Sequence, residues 1–446
     1  MDLVNAVLRR PGRAVAFVLC TWAGAWSVYY VFQESHRCLA LQKRRKRHPL
    51  RTRSHENDAE WFGQADQLER KHIPKRFGTL TFLGRYLNVT PEWREQGLWE
   101  WVWWKLVHTA LYHGRFGWDG GLARDQATEE GRKRIEELLP VVPLDSNRLW
   151  STKSDDKAGL THVSHDGITY TCTCIIQLQG VTFLTDPVFG EQPLESVMSP
   201  KRMRPMPCAI EDLVQSGSID FILLSHNHFD HLDLRIIPQI APETQWIVPT
   251  GVAPLLVKSG VNPNHIHSLG WWDDGTYTCE VGVPASHEPT RVSLAVDITA
   301  VPASHWSART LLDTNASLWN SYVVRLNDRH HLPGAFFFCG DSGYSPTLYQ
   351  SIGRMYGPFD LATIPIGSYE PRWHLSLQHM DPHGSVHVAQ DIGARHSFGM
   401  HWGTWSMSDE HWDDPPKDLA KALEAEKLPS SFLRTVPFGE TFRIPM

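Results

Sequence analysis

Residues 221–233 read FILLSHNHFDHLD, and the fold turns on them. A short apolar run, Phe221 to Leu224, passes directly into His226, His228, Asp230 and His231. Two histidines two residues apart on an extended backbone point their imidazoles to the same side. Asp230 and His231 follow once the strand has turned, so they can aim at a neighbouring point, and one segment can serve two metal positions. Three imidazoles and a carboxylate, with no thiolate, suit zinc and also iron or manganese. The alternative, an accidental histidine-rich loop, does not explain four donors placed immediately after a strand.

Working outward, the chain from Ile168 onward alternates short β-rich runs with helical ones. ITYTCTCIIQL, VTFLTDP, DFILLS, QWIVP, DITAVPAS, SYVVRL and AFFFCGD read as strands; residues 232–240 and 418–426 read as helical. This is a mixed α/β pattern with polar residues at strand ends, where loops hold reactive groups over a rigid sheet. Further histidine and carboxylate candidates recur in that setting. The pair His265 and His267 lacks such company and reads as a decoy. The seven cysteines include no CxxC pair, and Cys172 with Cys174 lacks zinc-ligand spacing, so reduced, buried thiols in a non-oxidising compartment are expected.

Composition bounds the remainder. With 446 residues, 41% hydrophobic and 21% charged, the chain is neither largely disordered nor a many-pass transporter. Its net charge is −6, yet residues 1–53 carry 11 Lys+Arg against 2 Asp+Glu. The body is therefore acidic, which argues against a nucleic-acid partner, while the basic start points to an anionic surface such as a bilayer. Residues 14–32 contain no charge over 19 positions, about 28 Å as a helix, which predicts a single-pass membrane anchor. Trp26, Tyr29 and Tyr30 would lie toward one interface, and the basic run 43–47 places the main domain in the cytosol or mitochondrial matrix. A cleaved signal peptide and a buried soluble helix are the competing readings. The mitochondrial inner membrane is the favoured address, with the endoplasmic reticulum or another endomembrane left open. Residues 54–159 read as linker and a tryptophan-rich, membrane-proximal helical region, the linker character running over 43–76. Trp93 to Trp104 form either a helix lying in the membrane interface or rings packed on the main domain. Residues 124–139 read as an exposed helix ending at Pro140, and 160–446 as the catalytic domain.

The sequence resembles the N-acyl-phosphatidylethanolamine-hydrolysing phospholipase D family of the metallo-β-lactamase superfamily over about residues 138–446. The resemblance rests on Thr185-Asp186-Pro187, the tract 225–233, Ser304-His305-Trp306, Gly340-Asp341-Ser342-Gly343, the tract 364–373 (IPIGSYEPRW), the tract 378–382 (QHMDP) and His401-Trp402-Gly403-Thr404, in the family's order. It implies an α/β fold, a metallo-β-lactamase-type αββα sandwich. It implies two zinc ions per chain, one held by His226, His228 and His305, the other by Asp230, His231 and His401, with Asp341 between them. It further implies a supporting role for Asp186 and a reach to the substrate phosphate for His379. Phe229 stands where the family often has a substrate-contacting tyrosine, so a hydrogen bond to the phosphodiester is lost there. His162-Val163-Ser164-His165 departs from the family's opening strand, and residues 279–301 are longer than its pattern.

The implied activity is zinc-dependent hydrolysis of N-acyl-phosphatidylethanolamine to N-acylethanolamine and phosphatidic acid. The implied partners are a membrane phospholipid substrate and the bilayer, with a homodimer as a further possibility. Two other readings stay open at this point. One is a hydrolase of the same fold acting on another phosphodiester, a lactone or a thioester. The other is a metal-stabilised membrane scaffold without turnover.

Overall fold

The computed structural model describes residues 11–51, 61–109, 111, 121–145, 162–170, 173–196, 199–216, 219–283, 290–310, 312–327 and 334–445; within the N-terminal helix the side chains of residues 11–16, 18 and 19 fall outside that description. Ahead of the main body lie helix α1 (Pro11–Arg47), helix α2 (Gln67–Arg76) and a two-residue hairpin, β1 (Thr81–Phe82) with β2 (Arg85–Tyr86). Helix α3 (Leu98–Trp103) runs into a π-helical turn (Trp104–His108), and α4 (Leu122–Gln126) and α5 (Glu129–Leu138) follow.

Two seven-stranded sheets then build the body. The first runs β16–β3–β4–β5–β6–β7–β8, formed by Glu440–Pro445, His162–Tyr170, Thr173–Leu178, Val181–Thr185, Phe221–Leu223, Gln245–Pro249 and Ile266–Leu269. The second runs β15–β14–β13–β12–β11–β10–β9, formed by Leu433–Arg434, Ala394–Met400, Phe359–Pro365, Ala335–Phe338, Asn320–Asn327, Thr290–Pro302 and Asp274–Val283. Side-chain alternation explains the layering. Cys174, Ile176 and Leu178 of β4 point into the large core they share with Val296, Ile298, Tyr322 and Phe338 of the second sheet. Ile175, between them, joins Ile222 and Trp246 in a separate core closed by Ile210 and Leu213 of α6 (Ile210–Ser216) and Leu256 of α7 (Ala253–Lys258). Leu348 and Ile352 of α8 (Pro346–Tyr356) and Val388 and Ala389 of α10 (Pro382–Ile392) pack with the second sheet, α9 (Arg372–Leu375) lying between them in sequence. The last helix, α11 (Asp414–Ala425), lies against α10. The result is the expected αββα sandwich, with both faces of the central strands covered by apolar side chains.

Strand direction places the chemistry. β5, β6 and β7 are mutually parallel, as are β12, β13 and β14, and β10 shares the direction of β12 because each is antiparallel to β11. Asp186 follows β5, the 225–233 loop follows β6, His305 follows β10, Asp341 follows β12 and His401 follows β14. The donors of each sheet thus lie just beyond the C-terminal ends of like-directed strands.

Several expectations need correction. Among the described residues no helix is long and apolar enough to cross a membrane, so the single-pass anchor over 14–32 is not supported. From Cys20 onward that run mixes Trp, Tyr, Gly, Ser and Thr with its apolar residues, and α1 continues without a break into Gln33, Glu34 and a basic end. Its second half is docked on protein: Tyr29 packs on Phe82, and the buried Arg37 guanidinium donates to the backbone carbonyls of Thr90 (3.1 Å) and Trp93. The supposed linker includes α2, started by a capping box between Asp66 and Glu69, with Ile73 buried and Arg354 bridged to Glu69 at 3.1 Å. Residues 124–139 form two helices rather than one, because Thr128 takes an extended conformation and caps the second through Gly131 N–H. Cys20 and Cys38 are exposed on α1, whereas Cys174, Cys279 and Cys339 are buried thiols as expected; Cys172 lies outside the described residues. The tryptophan stretch divides: Trp93 and Trp104 are buried, while Trp99, Trp101 and Trp103 are exposed.

Candidate metal centre

β6 stops at Leu223, so His226 and His228 stand on a loop rather than on the extended strand the spacing suggests. The loop is shaped by Asp186 instead. Fully buried, its carboxylate accepts from Ser225 N–H (2.6 Å), from Ser225 O–H (2.6 Å) and from His231 Nδ1–H (2.6 Å). Burial raises the Asp186 pKa, while His231 and Ser225 act against that rise. Asp186 also holds a left-handed backbone, φ 34°, and His401 does likewise at φ 61°. Such strain is tolerated where the surroundings over-determine the conformation, commonly at functional sites. Gly340 has φ 60°, and a Cβ there would come within 2.6 Å of the Ser225 Cβ, so glycine lets β12 deliver Asp341 against this loop.

These contacts assign the imidazole tautomers. With Ser225 O–H committed to Asp186, its oxygen accepts from His226 Nδ1–H at 2.9 Å. His231 donates through Nδ1 to Asp186, and His305 through Nδ1 to the Gln378 carbonyl at 3.0 Å. All three rings therefore turn Nε2 inward, the orientation that outer hydrogen bonds impose on metal-ligating histidines.

The inward atoms fall into two groups joined by one carboxylate. In the first, His226 Nε2 lies 2.8 Å from His228 Nδ1, which lies 3.4 Å from His305 Nε2. In the second, the Nε2 atoms of His231 and His401 each stand 3.6 Å from Asp230 Oδ2. Asp341 Oδ2 is 3.0 Å from His231 Nε2, 3.2 Å from His401 Nε2 and 3.7 Å from His305 Nε2, so it lies between the groups. Tetrahedral zinc at about 2.0–2.1 Å from each nitrogen sets its donors about 3.3 Å apart. The observed spacings bracket that value, and five imidazoles with two carboxylates form a donor set that fits divalent zinc. His379 stands at the edge, its Nδ1 3.9 Å from Asp341 Oδ2.

Electrostatics agree with this division. Burial pushes His226 and His379 well below the usual histidine range, His228 down to about 3 and His305 down to about 4. For His401, burial acts downward, but the Asp341 and Asp230 carboxylates outweigh it and hold the ring up to about 10. Burial would raise Asp341 and Asp230, yet the neighbouring His231 and His401 keep both below the ordinary carboxylate range. The three-histidine group is thus neutral and ready to ligate at pH 7, whereas the second group holds a proton that a cation must displace.

Each site residue read from the sequence sits at this centre except Phe229, whose half-buried ring packs under the Arg309 guanidinium at 4.1 Å. Arg309 was not legible in the sequence; it also donates to the carbonyls of Asn227 and Leu232, both at 3.0 Å, and so pins the two ends of the 227–232 loop. Asn88 is a second such residue. Its side chain donates to His305 C=O at 2.7 Å and accepts from His305 N–H at 3.2 Å, a two-point grip on the backbone of a candidate donor. Thr90 adds a 3.0 Å contact to Ser304 Oγ. His265 and His267 instead face the Gln245 side chain, at 2.6 and 2.8 Å, as suits a decoy.

Residues 182–402 match the family described as Beta-lactamase superfamily domain. The chain is 35% identical over 318 residues to N-acyl-phosphatidylethanolamine-hydrolyzing phospholipase D 1 of Caenorhabditis elegans, spanning 69% of this chain and 81% of that protein. It is 34% identical over 248 residues to N-acyl-phosphatidylethanolamine-hydrolyzing phospholipase D, mitochondrial, of Saccharomyces cerevisiae, spanning 55% of this chain and 48% of that one. An uncharacterized Mycobacterium tuberculosis protein is 30% identical over 262 residues, spanning 57% of this chain and 63% of its own.

Proposed function

This chain belongs to the N-acyl-phosphatidylethanolamine-hydrolysing phospholipase D family and is a metal-dependent hydrolase, and from that footing we propose that it cleaves N-acyl-phosphatidylethanolamine with two zinc ions. The observation that carries the reading is the position of Asp341 Oδ2, within 3.0–3.7 Å of nitrogens from both donor groups. His226, His228 and His305 would hold one ion and Asp230, His231 and His401 the other, with Asp341 shared. Two ions so held would supply Lewis acidity toward a phosphoryl oxygen and a water acidic enough to attack at neutral pH.

The chain's own residues do the rest. Asp186 and the Gln378 carbonyl fix the donor rings, so little reorganisation accompanies reaction. Attack of a water oxygen on phosphorus breaks the bond to the ethanolamine oxygen, which leaves with a proton as N-acylethanolamine; phosphatidic acid remains. His379 is held neutral by burial, so it would serve first as a hydrogen-bond partner of the phosphodiester rather than as a ready imidazolium acid. Arg372 donates to the His379 carbonyl at 3.0 Å and so sets that ring's backbone.

The substrate would be met at a bilayer. Trp99, Trp101, Trp103 and Trp373 are exposed, and they belong to neighbouring segments: Trp104 packs on His374 (5.0 Å) and His108 on Trp373 (5.7 Å). Indole rings favour the headgroup boundary, so this aromatic group supports docking beside the loop that carries His379. The basic N-terminus and the mitochondrial designation of the yeast relative are the grounds for proposing a mitochondrial membrane. The test is turnover by purified, zinc-loaded protein on vesicles of N-acylated or plain phosphatidylethanolamine. Preference for the N-acylated lipid is expected; equal turnover of both, or of neither, would overturn the substrate assignment.

A further inference from the structure

Helix α10 carries His383 and His387, four residues apart and therefore on one face, one turn above the other. Their rings meet edge to face with centroids 4.3 Å apart. Glu426, the residue that ends α11, reaches across to both: its Oε1 lies 3.3 Å from His383 Nε2 and 3.1 Å from His387 Nε2. The three donor atoms lie within 4.8 Å of one another, and the two nitrogen–oxygen spacings are close to the roughly 3.3 Å that separates the donors of a tetrahedral first-row cation.

The scaffold beneath is rigid. Val386 of α10 and Leu419, Ala422 and Leu423 of α11 belong to one buried core, and Glu426 N–H still donates to the Ala422 carbonyl at 3.1 Å. The donors are accordingly held by packed helices and not by a loop. His383 is exposed, and His387 and Glu426 are half-buried, so the point they share opens to solvent, where waters can complete a coordination shell. None of the three residues belongs to the centre described above.

We propose that His383, His387 and Glu426 form a further divalent-cation site joining α10 to α11. Two imidazoles and one carboxylate select a borderline first-row cation, with zinc, nickel and copper ahead of calcium or magnesium. Both Nε2 atoms turn toward Glu426. Binding requires each ring to carry its proton on Nδ1 instead, a tautomer shift that leaves the charge of a neutral ring unchanged.

The test counts zinc per chain in the untagged full-length protein and in a His383→Ala/His387→Ala variant, each dialysed against zinc at a fixed free concentration. One equivalent fewer in the double variant, with E426Q also losing zinc, is the expected result. Equal zinc content would overturn the site and leave the triad as a solvated polar cluster. A second measurement needs no variant: zinc should shield His383 and His387 from acylation by diethylpyrocarbonate, read by peptide mass spectrometry. Unchanged labelling of both rings at saturating zinc would equally overturn it.

Discussion

Asn88 gives the most discriminating perturbation, because it lies 217 residues from the ligand it grips. In Asn88→Ala the His305 C=O and N–H, both buried, lose their only side-chain partner among the described hydrogen bonds, bonds of 2.7 and 3.2 Å. Each buried polar group left unsatisfied costs about 1–3 kcal/mol, so a loss of about 2–6 kcal/mol is expected from the two. That is a large share of the roughly 5–15 kcal/mol that holds a typical domain folded. Asn88→Asp should rescue only part of it, since a carboxylate accepts from His305 N–H but repels His305 C=O. The assay is urea unfolding of metal-free and zinc-loaded protein, with zinc affinity measured by chelator competition. Loosening of His305 should weaken zinc binding as well as lower stability. A change below about 0.5 kcal/mol, the range of ordinary surface substitutions, with unaltered zinc affinity would refute the idea that the N-terminal segment braces the metal centre.

Three further outcomes follow from the same geometry. Asp186→Asn keeps the shape but cannot accept all three hydrogen bonds from Ser225 and His231, so metal affinity should fall about 10–100-fold, read by chelator competition. Because His228 and His305 are held down to about 3 and about 4, acid should release zinc from the three-histidine group only as pH falls toward 4. Zinc content after dialysis at stepped pH checks this, and loss near pH 6.5, where an ordinary histidine protonates, would contradict it. Replacing Trp99, Trp101 and Trp103 together by Ser should leave the melting temperature nearly unchanged, because all three are exposed, but should reduce co-sedimentation with phospholipid vesicles.

What was legible in the sequence, and what was not, has a physical pattern. His226, His228, Asp230 and His231 could be read because ligation restricts residue type and because they follow a visible apolar run; His305, Asp341 and His401 were named through the family resemblance, and the strand before His401, ARHSFGM, has no apolar run to show it. The loop geometry was not legible: His226 is turned inward by its bond to Ser225 Oγ, whose O–H donates to Asp186, not by strand periodicity. Asn88 and Arg309 act on backbone carbonyls and amides, and a contact of that kind carries no sequence spacing. Residues 43–76 read as linker because their polar residues mask buried anchors such as Ala65 and Ile73. The uncharged run in α1 read as a membrane span because charge was counted there, while the buried Arg37 and Gln33 that dock the same helix lie just beyond it.

The central claim is that Asp341 joins two cation positions into one hydrolytic centre. Its most direct test is hydrolysis of N-acyl-phosphatidylethanolamine vesicles by zinc-loaded Asp341→Asn, compared with the unaltered chain, with circular dichroism as the check on folding. A folded variant without detectable release of N-acylethanolamine is the expected result; a folded variant that turns over at the parent rate would contradict the account.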